Sequence, residues 1–197
     1  MSYRIVTDTC CDFPAAMYSS LDLSVVPLSV RFRDEDVQSY SDAWLKSFYD
    51  GLRTGESATT AAVNPDTWAQ AMEPALAAGE DVLVLAFSSG LSTTYQSAVI
   101  AASELQEKYP QRQIRVVDTL AASMGQGLLV YYACQKRDAG MSLDALTDWC
   151  TEYRMKLCHW FTVDDLMYLK RGGRVSAATA LVGTMLQIKP VLHVDDE

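Results

Sequence analysis

The sequence predicts an α/β fold, a mostly parallel sheet with helices on both faces, and three features carry that expectation. Asp81-Val-Leu-Val-Leu-Ala-Phe87 is a continuous apolar run, the pattern of a strand buried on both faces of a parallel sheet. Strand-like runs at 3–8, 81–87 and 113–118 are separated by segments of helical length and spacing, which implies crossovers and a layered architecture. With 197 residues, 49% hydrophobic and 21% charged, the chain can bury a core without disulfide staples.

Residues 3–8 read as the first strand, and Asp12 with Pro14 suits the start of a helix over 14–20. The β-branched content of 23–32 predicts one strand. Trp44, Leu45, Phe48, Tyr49 and Leu52 recur at helical spacing over 41–53, with Ser41 as cap. Asn64-Pro65-Asp66 supplies a cap, a first-turn proline and an early acid for a helix over 65–78. The strand at 81–87 runs into Ser88-Ser-Gly-Leu-Ser92, and a helix is expected from about 92 to 109, with Tyr95, Val99, Ala102 and Leu105 on one stripe. A strand over 113–118, a small-residue connection over 119–127 and a helix through Tyr131 and Tyr132 to Arg137 make the next unit.

From about residue 142 the pattern changes to a helix over 142–156, a strand over 157–163 and a short capped helix over 164–170 closed by Gly172-Gly173. A helix over 176–186 and a strand over 189–194 follow. This divides the chain into an α/β domain over 1–155 and the beginning of a second domain over 156–197, cut short in this sequence. The last strand reads as half a hairpin, unpaired and exposed at its edge.

Composition excludes several functions. Sixteen basic against 25 acidic residues give a net charge of −9, which leaves no broad cationic surface for a polyanion and excludes a nucleic-acid binder. No segment approaches the roughly 20 apolar residues of a transmembrane helix, and residues 1–8 lack a signal-peptide pattern, so a cytoplasmic location is expected. Five cysteines, two of them adjacent at Cys10 and Cys11, suit reduced thiols rather than a disulfide framework. His159 and His193 stand in separate apolar runs without ligand spacing, and phosphate- and dinucleotide-binding glycine motifs are absent. Neither a metal nor a cofactor is therefore expected. Asp164-Asp165 reads as a helix cap.

In such a sheet ligands sit off the carboxyl ends of the strands, which singles out the loops 7–12, 88–92 and 118–126. Ser88, Ser89, Ser92, Thr93 and Thr94 crowd the corner between a buried strand and a long helix. Unpaired N–H groups at a helix start, with hydroxyls beside them, suit a carboxylate or phosphate. Two readings of Ser92 stand side by side, head-group ligand and simple helix cap. A second hydroxyl pair, Thr59-Thr60, precedes another helix start, and Arg174 follows the Gly172-Gly173 turn, where it reads as solvated surface or a ligand contact. No catalytic residue is assigned. An acyl-processing enzyme using Cys10, Cys11 or Ser89 as nucleophile is one alternative, and a regulatory interaction module is another.

Several blocks in order resemble the DegV family of bacterial fatty-acid-binding proteins. Ile5-Val-Thr-Asp-Thr-Cys-Cys-Asp-Phe-Pro14 is similar to the family's opening, Ala58-Thr-Thr-Ala61 stands at its Thr-Ser-Gln-Pro block, and Ser88-Ser-Gly-Leu-Ser-Thr-Thr-Tyr95 resembles its Ser-Ser-x-Leu-Ser-Gly-Thr-Tyr segment. Val117-Asp-Thr-Leu-Ala-Ala-Ser-Met-Gly125, Asp165-Leu-Met-Tyr-Leu-Lys-Arg-Gly-Gly-Arg-Val175 and Leu186-Gln-Ile-Lys-Pro190 match further blocks. The resemblance implies a two-domain α/β protein that encloses one long-chain fatty acid between its domains, the carboxylate held by Thr59 and Ser92; Thr60, Ser89, Thr93 and Arg174 are further ligand-binding candidates from the residues themselves. It also implies that the acid is presented to a separate fatty-acid kinase, so that the chain is a lipid-binding protein and not the catalyst. Thr60, Ala61 and Ala62 in place of Ser-Gln-Pro, and Thr93 in place of Gly, add bulk beside that head-group site.

Overall fold

A computed structural model describes residues 2–38, 41–176 and 189–193. Its central sheet has four parallel strands in the order β2-β1-β6-β7, formed by β1 (Tyr3–Asp8), β2 (Leu23–Val26), β6 (Asp81–Ala86) and β7 (Ile114–Asp118). Every residue of β6 is buried, as the unbroken apolar run predicts. Val82, Val84 and Ala86 face one core with Val6, Trp68 and Ala98. Leu83 and Leu85 alternate to the other, with Ile5, Val117, Val130 and Leu146. The strand period of two thus serves two helical layers. Helices α3 (Pro65–Ala77) and α4 (Thr94–Lys108) cover the first face, and α5 (Ser123–Asp138) and α6 (Leu143–Tyr153) the second.

The helix starts follow their caps. Ser41 Oγ accepts the Trp44 N–H ahead of α2 (Asp42–Arg53), Asn64 Oδ1 accepts the Thr67 N–H ahead of α3, and Ser142 Oγ accepts the Ala145 N–H ahead of α6. Asp165 does the same for Met167 in α7 (Leu166–Arg171). The first helix, α1, spans Ala15–Ser20 behind Pro14.

Three expectations are corrected. The single strand over 23–32 is two strands in different sheets: β2 pairs with β1, while β3 (Ser29–Phe32) leaves to pair with β4 (Glu35–Val37) and β5 (Ala58–Ala61). Pro27, which has no N–H to give a ladder, lies at the break, and the next N–H, of Leu28, is taken by Thr9 Oγ1 at 3.0 Å. The loop expected around Thr59-Thr60 is β5, at one edge of that antiparallel sheet. Its residues are mostly exposed, so no hydrophobic alternation announced it. The strand expected to stand unpaired near the end, β9 (Val191–His193), pairs antiparallel with β8 (Trp160–Thr162). The helix expected over 176–186 lies almost wholly outside the described residues.

Gly127 is where α5 approaches the turn after β1. A Cβ there would meet the Cys11 carbonyl oxygen at 2.5 Å and the Phe13 ring at 3.0 Å. The near neighbour is backbone, which has little room to yield. Gly127→Ala is therefore expected to cost about 1–3 kcal/mol by overpacking. Urea denaturation checks it, and an unchanged midpoint would show that the helix moves away freely.

Candidate ligand-binding site

Three loops at the carboxyl ends of adjacent strands meet, as the sheet topology demands. The segment after β6, residues 87–93, lies between the loop after β1 and the loop after β7. Asp8, at the end of β1, is fully buried. Its Oδ2 accepts the Phe87 N–H at 2.8 Å and its Oδ1 the Cys10 N–H at 3.0 Å. Gln126 Nε2 of α5 donates to the same Oδ1 and to Thr7 Oγ1, both at 3.2 Å. Burial outweighs these donors and raises the Asp8 carboxyl to about 6.

From the other side, Asp118 Oδ1 at the end of β7 accepts the Ser89 N–H at 3.2 Å and the Leu120 N–H at 3.1 Å. The Ser88 N–H donates to the Ala121 carbonyl at 3.1 Å, and Thr119 Oγ1 donates to the Ala86 carbonyl at 2.8 Å. The loop after β6 is thereby tied to both neighbours through backbone and carboxylate contacts.

That loop forms one wall of an open cleft of about 440 Å³. Leu28, Ala62, Phe87 and Leu91 supply its apolar lining, and Thr60, Ser89, Ser92, Thr93 and Arg174 its polar lining. The volume falls within the usual range of a small-molecule site, and polar side chains reach it from β5, from the 87–93 segment and from beyond α7. The Arg174 guanidinium crosses to it from beyond α7, donating to the Leu91 carbonyl through Nη2 at 2.7 Å and Nε at 3.2 Å.

Of the residues singled out from sequence, Ser89, Ser92, Thr93, Thr60 and Arg174 come together on this cleft, and Thr59 does not line it. Thr59 and Thr60 are successive residues of β5, paired with Arg31 and Val30, and successive strand residues point to opposite faces. Of the two hydroxyls, Thr60 is therefore the one on this cleft. Helix α4 begins at Thr94 rather than at 92. Ser92 Oγ accepts the Thr94 N–H at 3.2 Å and lies 2.8 Å from Thr94 Oγ1, so it does cap-like work while also lining the cleft. The first-turn N–H groups of α4 lack partners four residues back within the helix.

Trp68, Asp8, Asp118 and Gln126 were missed. Trp68 is fully buried and its Nε1–H donates to the Thr94 carbonyl at 3.2 Å, fastening the start of α4 to α3. An acid as the last residue of two of the parallel strands was the available signal for Asp8 and Asp118. Cys10 and Cys11 do not line the cleft. Burial pushes the Cys10 thiol far up and the Cys11 thiol up to about 11, whereas a nucleophilic cysteine needs a lowered value. Among the described residues no group of histidine, cysteine and acid side chains could hold a metal ion.

The chain matches, over residues 2–197, the family described as "Uncharacterised protein, DegV family COG1307". It belongs to the DegV family. This DegV chain is 45% identical over 196 residues to DegV domain-containing protein CPE0026 of Clostridium perfringens, an alignment covering 98% of this chain and 67% of that one. The DegV fold is shared with a solved structure from Thermus thermophilus described as fatty acid binding of a DegV family protein. That match has 35% identity and a TM-score of 0.85, and covers 99% of this chain and 68% of that one. A stearic acid-binding protein from Eubacterium ventriosum is 27% identical with a TM-score of 0.82, over 98% of this chain and 67% of that one. No helix among the described residues of this DegV chain is long and apolar enough to cross a membrane.

Proposed function

We propose that this chain binds one long-chain fatty acid with the carboxylate at the hydroxyl corner of the cleft and the acyl chain over its apolar lining. The observation that carries this is the convergence of Thr60, Ser89, Ser92, Thr93 and Arg174 with Leu28, Phe87 and Leu91 on one cleft beside the start of α4. The fatty-acid ligands of the Thermus and Eubacterium relatives support the ligand class. Each buried CH₂ contributes about 0.8 kcal/mol, so the chain supplies most of the affinity and the polar corner fixes the head. In this reading the cleft is the interdomain site, with Arg174 as the contribution of the segment from 156 and the other lining residues from within 1–155. The chain acts as a cytoplasmic carrier and presents the carboxylate to a separate fatty-acid kinase. The partner and the location rest on the family resemblance and the sequence.

Calorimetric titration with palmitate tests the head-group assignment. Removing a hydrogen bond to a charged group costs about 1.5–3 kcal/mol, so Thr60→Ala and Ser92→Ala are each expected to weaken binding about 10- to 150-fold. Thr59→Ala should leave it within about twofold, because its side chain is on the other face of β5. Ser92→Gly also deletes the hydroxyl and should lose affinity like Ser92→Ala. Equal losses for Thr59→Ala and Thr60→Ala, or full affinity in Ser92→Gly, would overturn the assignment.

A further inference from the structure

The segment that carries the polar corner has little packing of its own: Ser88 is buried, but Phe87, Ser89, Gly90, Leu91 and Ser92 are partly or fully exposed. Its backbone is held from its flanks. Asp8 takes the Phe87 N–H from the β1 side, and Asp118 takes the Ser89 N–H from the β7 side. Both acceptors are carboxylates, which bond backbone N–H groups about twice as strongly as neutral acceptors do. Both are also fixed in turn, Asp8 by Gln126 and the Cys10 N–H, Asp118 by the Leu120 N–H and, through its own carbonyl, by Arg154 Nη1 at 2.6 Å. Between them they set the position of a turn whose Phe87, Ser89, Leu91 and Ser92 line the cleft and which leads into the start of α4. Neither Asp8 nor Asp118 lines the cleft.

We infer that Asp8 and Asp118 are positioning residues for the head-group corner, holding the 87–92 turn from the two strands that flank β6 so that Ser89, Ser92 and the α4 start converge on a carboxylate. This rests on the fatty-acid reading above and deepens it. Preorganised donors strengthen head-group binding because the turn need not be ordered when ligand arrives. The effect belongs to the head and not to the acyl chain.

Asp118 is the residue to test, since it is part-exposed and its loss leaves the buried Asp8 network intact. Titration of wild type, Asp118→Ala and Asp118→Asn with palmitate and with hexadecanol separates the head from the chain. Asp118→Ala is expected to lose about five- to tenfold in palmitate affinity and less than about twofold for hexadecanol. Asp118→Asn keeps an oxygen that accepts both N–H groups and should restore palmitate binding to within about twofold. Equal losses for the acid and the alcohol, or no loss for either, would overturn the inference. Amide hydrogen exchange of the ligand-free proteins gives a second reading. Amides of residues 87–92 should exchange faster in Asp118→Ala while those of β6 keep their protection, and unchanged exchange in the turn overturns the positioning role. Wild-type protein that binds neither compound would overturn the fatty-acid reading instead, with the exchange experiment still deciding whether Asp118 holds the turn.

Discussion

Asp8→Ala is expected to destabilise the protein by about 2–4 kcal/mol at pH 7. The carboxylate accepts the Phe87 and Cys10 N–H groups and Gln126 Nε2, and each donor left unpaired in the interior costs about 1–3 kcal/mol. Against this stands the burial that raises Asp8 from 3.8 to about 6, worth roughly 3 kcal/mol against the ionised form. Because the folded-state value is raised, the folded protein binds this proton more tightly than the unfolded chain does. Protonation of Asp8 therefore adds a further increment of stability that is fully present below about pH 4 and lost as pH rises through about 6. From pH 7 to pH 5 the gap between wild type and Asp8→Ala should widen by about 1 kcal/mol. Urea denaturation at the two pH values measures it, and a gap that narrows on acidification would contradict the assigned shift. Asp8→Asn should recover little, since one of its two groups would set an N–H against a donor.

The second large effect is at Trp68. The ring is fully buried in the core that α3 and α4 share with β1 and β6, and large aromatic truncations of this kind cost about 3–5 kcal/mol. Trp68→Ala is expected to lower the melting temperature by about 6–20 °C for a chain of this size. Trp68→Phe keeps most of the buried area and gives up the Nε1–H bond to the Thr94 carbonyl, a loss of about 1 kcal/mol. Since that bond fixes the first turn of α4, palmitate affinity should fall in Trp68→Phe while the fold persists. A Phe variant with full affinity would show that the α4 start is held by its other contacts.

Much of the architecture was legible because burial is written into residue order. The run at 81–87 could pack against helices on both faces and nowhere else without exposing apolar surface, and the caps at Ser41, Asn64 and Ser142 marked helix starts through short-range hydrogen bonds. The hydroxyl corner was legible for a similar reason: a Ser/Thr cluster between a buried strand and a helix has a fixed position in such a sheet. The blocks resembling the DegV family completed that reading.

What the sequence by itself determined is the set of local choices: most of the strands and helices, the capped helix starts, and a hydroxyl-rich turn after β6. Only the tertiary structure decided which partner each strand takes and which face each side chain occupies. The strand expected over 23–32 divides between two sheets because pairing is a long-range choice, with Val26 committed to β1 and Ser29 to β5. Thr60 rather than Thr59 lines the cleft because a strand turns adjacent residues to opposite faces, and in an exposed edge strand no apolar pattern reveals which face is which. Asp8 and Asp118 meet the 87–92 turn across 79 and 29 residues of chain. No local pattern encodes such a contact: it exists because the sheet sets β1 and β7 on either side of β6.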